Sequence, residues 1–280
     1  MRILITGATG RVGSRFAPRV MQRGHTARLL VRQPEQVEHL RRLGAEVAQG
    51  DLGQPETLAA AVTGVDAVVH LAAFFRGASE AQARAVNTSG TLALADAAIR
   101  VDVPRFVFVS TNLVYGPGRG RPAREDDAPR PMHAYPQSKV AAEEALTERY
   151  HTRGLGLRVM RLAFVYGEGD PHLREVEPMV RSWHPAKRLQ MVHHVDVGQA
   201  LLLAAVVPGI DGRIYNVADD APLTIAELRQ HLGQPEAVEG DEQPLGDPWE
   251  GIVSTLRLRD ELGFRPIYPS FYTARDAGTL

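Results

Sequence analysis

The sequence predicts an α/β protein: a Rossmann-type doubly wound parallel sheet with a small C-terminal substrate-binding lobe. Three observations predict it. Over the first 165 residues, short continuously apolar runs alternate with helix-spaced segments, the pattern of strands covered by helices on both faces. A glycine-rich turn, Gly7-Ala8-Thr9-Gly10-Arg11-Val12-Gly13, joins the first strand to the first helix. After Gly167 the rhythm breaks, as Pro171, Pro178, Pro185, Pro208 and Pro222 divide the chain into pieces too short for an independent sheet. The expected division is residues 1–165 as the dinucleotide-binding domain, with return segments from the C-terminal half, and 166–280 mainly as the small lobe.

Each element follows from local pattern. Residues 3–6 form a short β run, and 11–23 carry Val12, Phe16 and Val20 at helical spacing. Strands are expected at 27–31, 45–49 and 67–71, separated by helices at 35–43 and 55–62. An alanine-rich stretch predicts one long helix over 81–100. A strand at 105–110, a helix at 135–150 and a strand at 156–162 complete the series. Beyond it, 197–206 reads as a helix and 214–217 as a strand. Thr224-Ile225-Ala226-Glu227 is a capping box opening a helix to Leu232. Residues 233–251 read as loop. In such sheets ligands bind beyond the carboxyl ends of the strands.

Composition narrows the function classes. The chain has 280 residues, 44% hydrophobic and 23% charged, enough for a full core. With 32 basic and 33 acidic residues the net charge is −1, which argues against nucleic-acid binding and a polybasic membrane surface. There is no cysteine, so disulfides, thiolate metal sites and cysteine nucleophiles are excluded. The first strand leaves no room for a leader h-region, and the longest apolar run, residues 200–207, cannot span a bilayer. A cytoplasmic protein without a membrane partner is expected. No metal site is expected: Glu168, Asp170 and His172 are separated by Gly and Pro, and His193 and His194 on a strand would face opposite sides. No G-x-S-x-G elbow occurs, which disfavours a Ser-His-Asp hydrolase.

The turn from Gly7 to Gly13 is G-x-x-G-x-x-G in its required strand–turn–helix setting. Glycines let backbone N–H groups approach a pyrophosphate, and the following helix directs its positive end at it. Gly7, Thr9, Gly10, Arg11, Val12 and Gly13 are therefore cofactor-binding candidates. An acidic residue after the second strand would bind the ribose 2′-hydroxyl of NAD. Val31-Arg32-Gln33 stands there instead. Arg32 can pair with a 2′-phosphate, assisted by Arg11, so NADP(H) is preferred and NAD(H) is the second choice; the alternative is a solvated surface arginine. Asp51, followed by Leu52, either accepts from the adenine amino group or caps the next helix.

Tyr135-Pro136-Gln137-Ser138-Lys139 places a phenol and an amine on one helix face. A phenol near its ordinary pKa of about 10 is a poor catalyst at neutral pH, and an adjacent ammonium is expected to lower it. Tyr135 could then protonate a carbonyl oxygen, or deprotonate an alcohol in reverse. Thr111 or Ser110, ending the fifth strand, can hydrogen-bond the substrate oxygen or simply finish the strand.

These residues resemble the extended short-chain dehydrogenase/reductases, the NAD-dependent epimerase/dehydratase family. The resemblance extends to Val69-His70-Leu71-Ala72-Ala73, Asn87-Thr88-Ser89-Gly90-Thr91, Val109 through Gly116, Arg161–Gly167, His193–Asp196, Tyr215-Asn216-Val217 and Leu262-Gly263-Phe264-Arg265-Pro266. It implies that Leu71, Ala72 and Ala73 pass the cofactor, that Thr111, Tyr135 and Lys139 are catalytic, and that Lys139 also binds the nicotinamide ribose. The departures concern substrate. Phe164 stands where sugar-nucleotide members carry Asn, Leu189 where they carry an arginine, and Asn112 and Leu113 where dehydratases carry acidic residues. Phe74, Phe75, Phe164, Met179, Trp183 and Met191 are candidate walls for a less polar substrate, with Asn112 at the substrate end. The resemblance also implies a homodimer through the helices at 81–100 and 134–153. The leading expectation is an NADP(H)-dependent oxidoreductase acting on a ketone or secondary alcohol. A nucleotide-sugar 4-epimerase and a dinucleotide-sensing regulatory protein are the alternatives.

Overall fold

The computed structural model describes residues 1–75, 80–180, 182–234 and 244–280. It divides into two compact units. The first comprises residues 1–114, 131–161 and 198–214, and the second 115–130, 162–197 and 215–280.

The first unit is built on β1 (Arg2–Thr6), α1 (Arg11–Gln22), β2 (Thr26–Val31), α2 (Glu38–Arg42), β3 (Glu46–Gln49), α3 (Leu58–Val62) and β4 (Ala67–His70). These are followed by α4 (Glu80–Arg84), α5 (Thr91–Arg100), β5 (Phe106–Thr111), α6 (Ala134–Arg153) and β6 (Leu157–Leu162). With β10 (Arg213–Val217) the strands form a seven-stranded sheet ordered β10-β6-β5-β4-β1-β2-β3. The pairings β1–β2, β1–β4, β2–β3 and β4–β5 are parallel. The chain runs outward to β3, then returns to β4 on the other side of β1. This is the switch point where α/β sheets bind ligands, and the glycine turn leaves β1 there.

Continuous apolar strands dictate burial on both faces. Leu4, Val68, Phe106, Phe108 and Val159 pack with Leu58, Leu94 and Leu146 on one side. Helix α1 buries Gly13, Phe16, Ala17 and Val20, the i, i+3, i+4, i+7 stripe of an amphipathic helix. Helix α6 runs from Ala134 to Arg153 and stops at Gly154, whose φ of 71° is the left-handed end of a helix.

One element departs from expectation. The single helix expected over 81–100 is three pieces: α4, a π turn at Ala85–Gly90, and α5. A π turn inserts one extra residue, and alanine-rich periodicity does not register one insertion. Gly90 suits the distortion, because a Cβ there would stand 2.9 Å from Leu52 Cβ.

In the second unit, β7 (Phe164–Tyr166) pairs parallel with β9 (Met191–His193), and β8 (Arg188–Leu189) antiparallel with β11 (Leu223–Thr224). Its helices are α7 (His172–Val180), α8 (His194–Val206, continuing into the first unit), α9 (Ile225–His231), α10 (Leu256–Leu262) and α11 (Phe271–Asp276). Tyr166, Leu173, Val176, Met191, Leu223, Leu228 and Phe271 share its core. The box at Thr224 forms, with Glu227 N–H donating to the hydroxyl and the Glu227 carboxylate accepting from the Thr224 N–H. The short strands β7, β8 and β9 are not legible as a sequence pattern. Of the loop expected at 233–251, residues 235–243 lie outside the described residues. No described helix is long and apolar enough to cross a membrane.

Candidate active site

The glycine turn has the shape its residues require. Gly7 adopts φ 70°, and a Cβ on it would meet Ala72 N at 2.7 Å. A Cβ on Gly13 would stand 2.2 Å from the Gly7 carbonyl oxygen. Gly10 N–H donates to Gly7 O at 2.9 Å and caps α1 without any side chain, and no acidic residue lies in the first turn. The first-turn N–H groups of α1 have no acceptor within the helix, and Thr9, Gly10 and Arg11 are exposed. A cradle of N–H donors at a positive helix end, closed to any Cβ, fits a dinucleotide pyrophosphate. Val12 is half-buried behind it.

The other strand ends line up with this turn. Arg32 follows β2 and is exposed; its carbonyl accepts from the Gln49 amide. One Asp51 oxygen accepts from Gly53 N–H at 2.9 Å, and Leu52 packs against the core. Leu71 and Ala72 donate their N–H groups to Thr6 Oγ1 at 3.2 and 3.1 Å, and Ala73 is exposed.

From Thr6 a buried chain of hydrogen bonds leads toward α6. With two N–H groups already donated to it, the Thr6 hydroxyl gives its proton to His70 Nδ1 at 2.7 Å. His70 Nε2 then donates to Thr91 Oγ1 at 2.8 Å, which donates to Asn87 O. Burial first and the Lys139 charge second push the His70 pKa down to about 3, so the ring is neutral at physiological pH. Asn87 sits in the π turn and is fully buried. Its Oδ1 accepts from Phe74 N–H at 2.7 Å, and its Nδ2 donates to Phe74 O at 2.9 Å and Ser138 Oγ at 3.0 Å. Ser138 in turn donates to the Tyr135 carbonyl. In the sequence Asn87 stands out only within a resemblance; its side-chain role emerges from the fold.

Tyr135 opens α6 and is half-buried. Lys139, one turn later and 1% exposed, donates to Val109 O on β5 at 2.8 Å and lies 4.7 Å from the Phe108 ring centre. One turn further, Glu143 is paired with Arg161 of β6, both oxygens lying 3.2 Å from Arg161 Nε. Burial brings the Lys139 ammonium down to about 8, opposed by the Glu143 charge. It shifts the Tyr135 phenol the other way from expectation: burial pushes it above its ordinary value. The ammonium is engaged by β5, and burial sets the direction of the phenol.

Thr111 closes β5 two residues after the carbonyl that receives Lys139. Its Oγ1 accepts from Leu113 N–H at 3.2 Å, leaving its proton to donate. The neighbouring Ser110 Oγ is buried without a partner among the described residues. Asn112 is buried at the start of the following helical turn. Phe74 and Phe75 are exposed after β4. The remaining candidates lie in the second unit. Phe164 stacks on His172 with ring centres 4.0 Å apart, Trp183 lies beneath the Lys187 ammonium, Met179 is exposed and Met191 is core. His193 ends β9 and bonds Thr279 O, while His194 begins α8 and bonds Asp170. Among the described residues no cluster of three His, Asp or Glu is placed to hold a metal.

The sequence model of the NAD dependent epimerase/dehydratase family matches residues 3–218, which takes in the glycine turn, the Tyr135/Lys139 pair and β10. The chain belongs to that family. It is an enzyme of the extended short-chain dehydrogenase/reductase type, in an NAD(H)-binding family. The 4-hydroxy-2-methyl-3-oxo-4-farnesyl-3,4-dihydroquinoline-1-oxide ketoreductase of Stigmatella aurantiaca is 29% identical over 96% of this chain and 82% of its own. The 3 beta-hydroxysteroid dehydrogenase/Delta 5-->4-isomerase of Mycobacterium tuberculosis is 30% identical over 81% of this chain and 67% of its own. The solved structure of the Thermus thermophilus UDP-glucose 4-epimerase in complex with NAD superposes with a TM-score of 0.78 at 27% identity, covering 98% of this chain and 96% of that one.

Proposed function

We propose that this family member is an NADP(H)-dependent oxidoreductase that interconverts a ketone and the matching secondary alcohol, with Tyr135 as the acid–base. The observation that carries the reading is the bond from Lys139 to Val109 O. It fastens the Tyr135/Lys139 face of α6 to the carboxyl end of β5, where Thr111 presents its hydroxyl. Similarity to a ketoreductase and a hydroxysteroid dehydrogenase supports the same class.

When bound, the dinucleotide supplies or accepts the hydride. Gly7–Gly13 would hold its pyrophosphate, and Lys139 the nicotinamide ribose. Thr111 donates to the substrate oxygen and orients it. In reduction the Tyr135 Oη–H gives its proton to the carbonyl oxygen; in oxidation the phenolate takes the alcohol proton. The raised phenol suits the donating direction, because the proton remains on Tyr135 at neutral pH until the oxygen becomes basic. Replacing Tyr135 with Phe keeps the ring and removes the proton, and the expected loss is about 10²- to 10⁴-fold in kcat with dinucleotide affinity unchanged. Unchanged turnover on every accepted substrate would refute the assignment.

Arg32, exposed beside the β2 terminus, supports the choice of NADP(H) over NAD(H). The ratio of kcat/KM for NADPH and NADH checks it, and Arg32→Ala should reduce that ratio. A nucleotide-sugar panel followed for C4 inversion without net cofactor turnover separates this reading from an epimerase.

A further inference from the structure

We propose that Phe75 is the specificity residue of this enzyme, an aromatic wall beside the Tyr135 phenol that selects a bulky uncharged ketone or carbinol over a sugar nucleotide. The inference rests on the reading above and extends it to the class of substrate.

Phe75 lies edge-on to Tyr135, with ring centres 4.7 Å apart and planes at 70°. The seat is built from buried groups. Asn87, itself inaccessible, grips both the N–H and the carbonyl of Phe74, and through Ser138 the same amide joins the first turn of α6. The position of Phe75 relative to Tyr135 is therefore fixed by hydrogen bonds that do not involve its ring. Yet Phe75 as a residue is left 43% exposed, and its neighbour Phe74 39%. An edge-to-face contact is a small gain beside the full burial of a phenyl group, so the contact with Tyr135 does not explain why Phe74 and Phe75 stay exposed.

The pattern repeats on the other segments leading into the catalytic residues. Leu113, whose N–H donates to Thr111, is 47% exposed, and Met132, three residues before Tyr135, is 63% exposed. Large exposed apolar residues thus flank the catalytic residues along the chain in three stretches, after β4, after β5 and before α6, and of these Phe75 meets the Tyr135 ring. The exposed Phe75 beside Tyr135 is apolar area left for a ligand to cover, and an aromatic wall offers apolar contact with no hydrogen bond for sugar hydroxyls. The occupant that gains from it is a molecule whose carbonyl reaches Tyr135 and whose body is hydrocarbon. Removing the phenyl group should cost such a ligand about tenfold in affinity, and a ligand too small to reach the ring much less.

The test measures binding separately from turnover. The full chain, saturated with NADP+, is titrated calorimetrically with 2-decalone, cyclohexanone and UDP-glucose, as wild type and as Phe75→Ser and Phe75→Leu. The expected result is preferential binding of 2-decalone, weakened about tenfold by Phe75→Ser and little by Phe75→Leu, with cyclohexanone and dinucleotide affinities nearly unchanged. Preference for UDP-glucose, failure to bind 2-decalone, or an equal loss of all ligands in Phe75→Ser would overturn the proposal. If 2-decalone binds with the expected Phe75 dependence but no bound ketone is reduced with NADPH, the hydride-transfer reading fails and the assignment of Phe75 stands.

Discussion

His70 and Asn87, buried in the first unit, place both ring nitrogens and both amide atoms in hydrogen bonds, whereas Asp219 and Tyr166, buried in the second, leave both carboxyl oxygens and the phenol without a partner among the described residues. The same contrast holds for charge. Glu143 and Arg161 neutralise one another inside the first unit. Asp219 faces the charges of Asp220 and Asp196, and burial with that repulsion pushes its carboxyl up to about 9, so it is held neutral. The comparison separates two ways of tolerating polarity in a core. Around His70 and Asn87 polarity is matched atom for atom; at Asp219 it is tolerated by staying uncharged.

Breaking the matched set should cost most. Glu143→Ala leaves the Arg161 guanidinium without its carboxylate, and a loss of about 3–5 kcal/mol is expected in urea unfolding. A loss below about 1 kcal/mol would mean that the pair does not hold the first unit together. Asn87→Ala removes the clamp on Phe74 and should cost about 2–3 kcal/mol, with Phe74 and Phe75 amides exchanging faster by hydrogen exchange.

The unmatched set should respond in the opposite direction. Asp219 binds its proton more tightly folded than unfolded, so its stabilising contribution is complete below the ordinary carboxyl pKa and is lost as pH rises toward about 9. Asp219→Asn keeps the neutral shape and removes that linkage. The variant should match wild type near pH 4 and exceed it by about 4 kcal/mol at pH 7, at about 1.4 kcal/mol per pH unit, levelling off above the folded pKa. Equal slopes of stability against pH for the two proteins would contradict a neutral Asp219. The smallest effect should come from Thr224→Ala at the solvent edge of the second unit, about 1 kcal/mol for the lost cap.

How much of this is legible in the sequence depends on range. The glycine turn, the Tyr135/Lys139 spacing and the Thr224 box are readable because each is dictated within seven residues or fewer. The π turn is not, because its cause is Asn87 reaching Phe74 and Gly90 approaching Leu52, contacts between separate segments. His193 and His194 read as one strand but fall on either side of a strand–helix boundary. The direction of the Tyr135 shift differs from expectation for the same reason: spacing shows that an ammonium is near, but not that Val109 and Phe108 engage it while burial acts on the phenol.

The amino-acid sequence alone determined the alternation of strands and helices, the N–H cradle at α1 and the phenol–amine pair, since local sterics and periodicity leave little choice there. Only the tertiary structure decided which carbonyl receives Lys139, which amide holds Phe74, and which buried acid is neutral. Those outcomes depend on distances between segments far apart in the chain and on the loss of water around them, and neither quantity is written in any local stretch of residues.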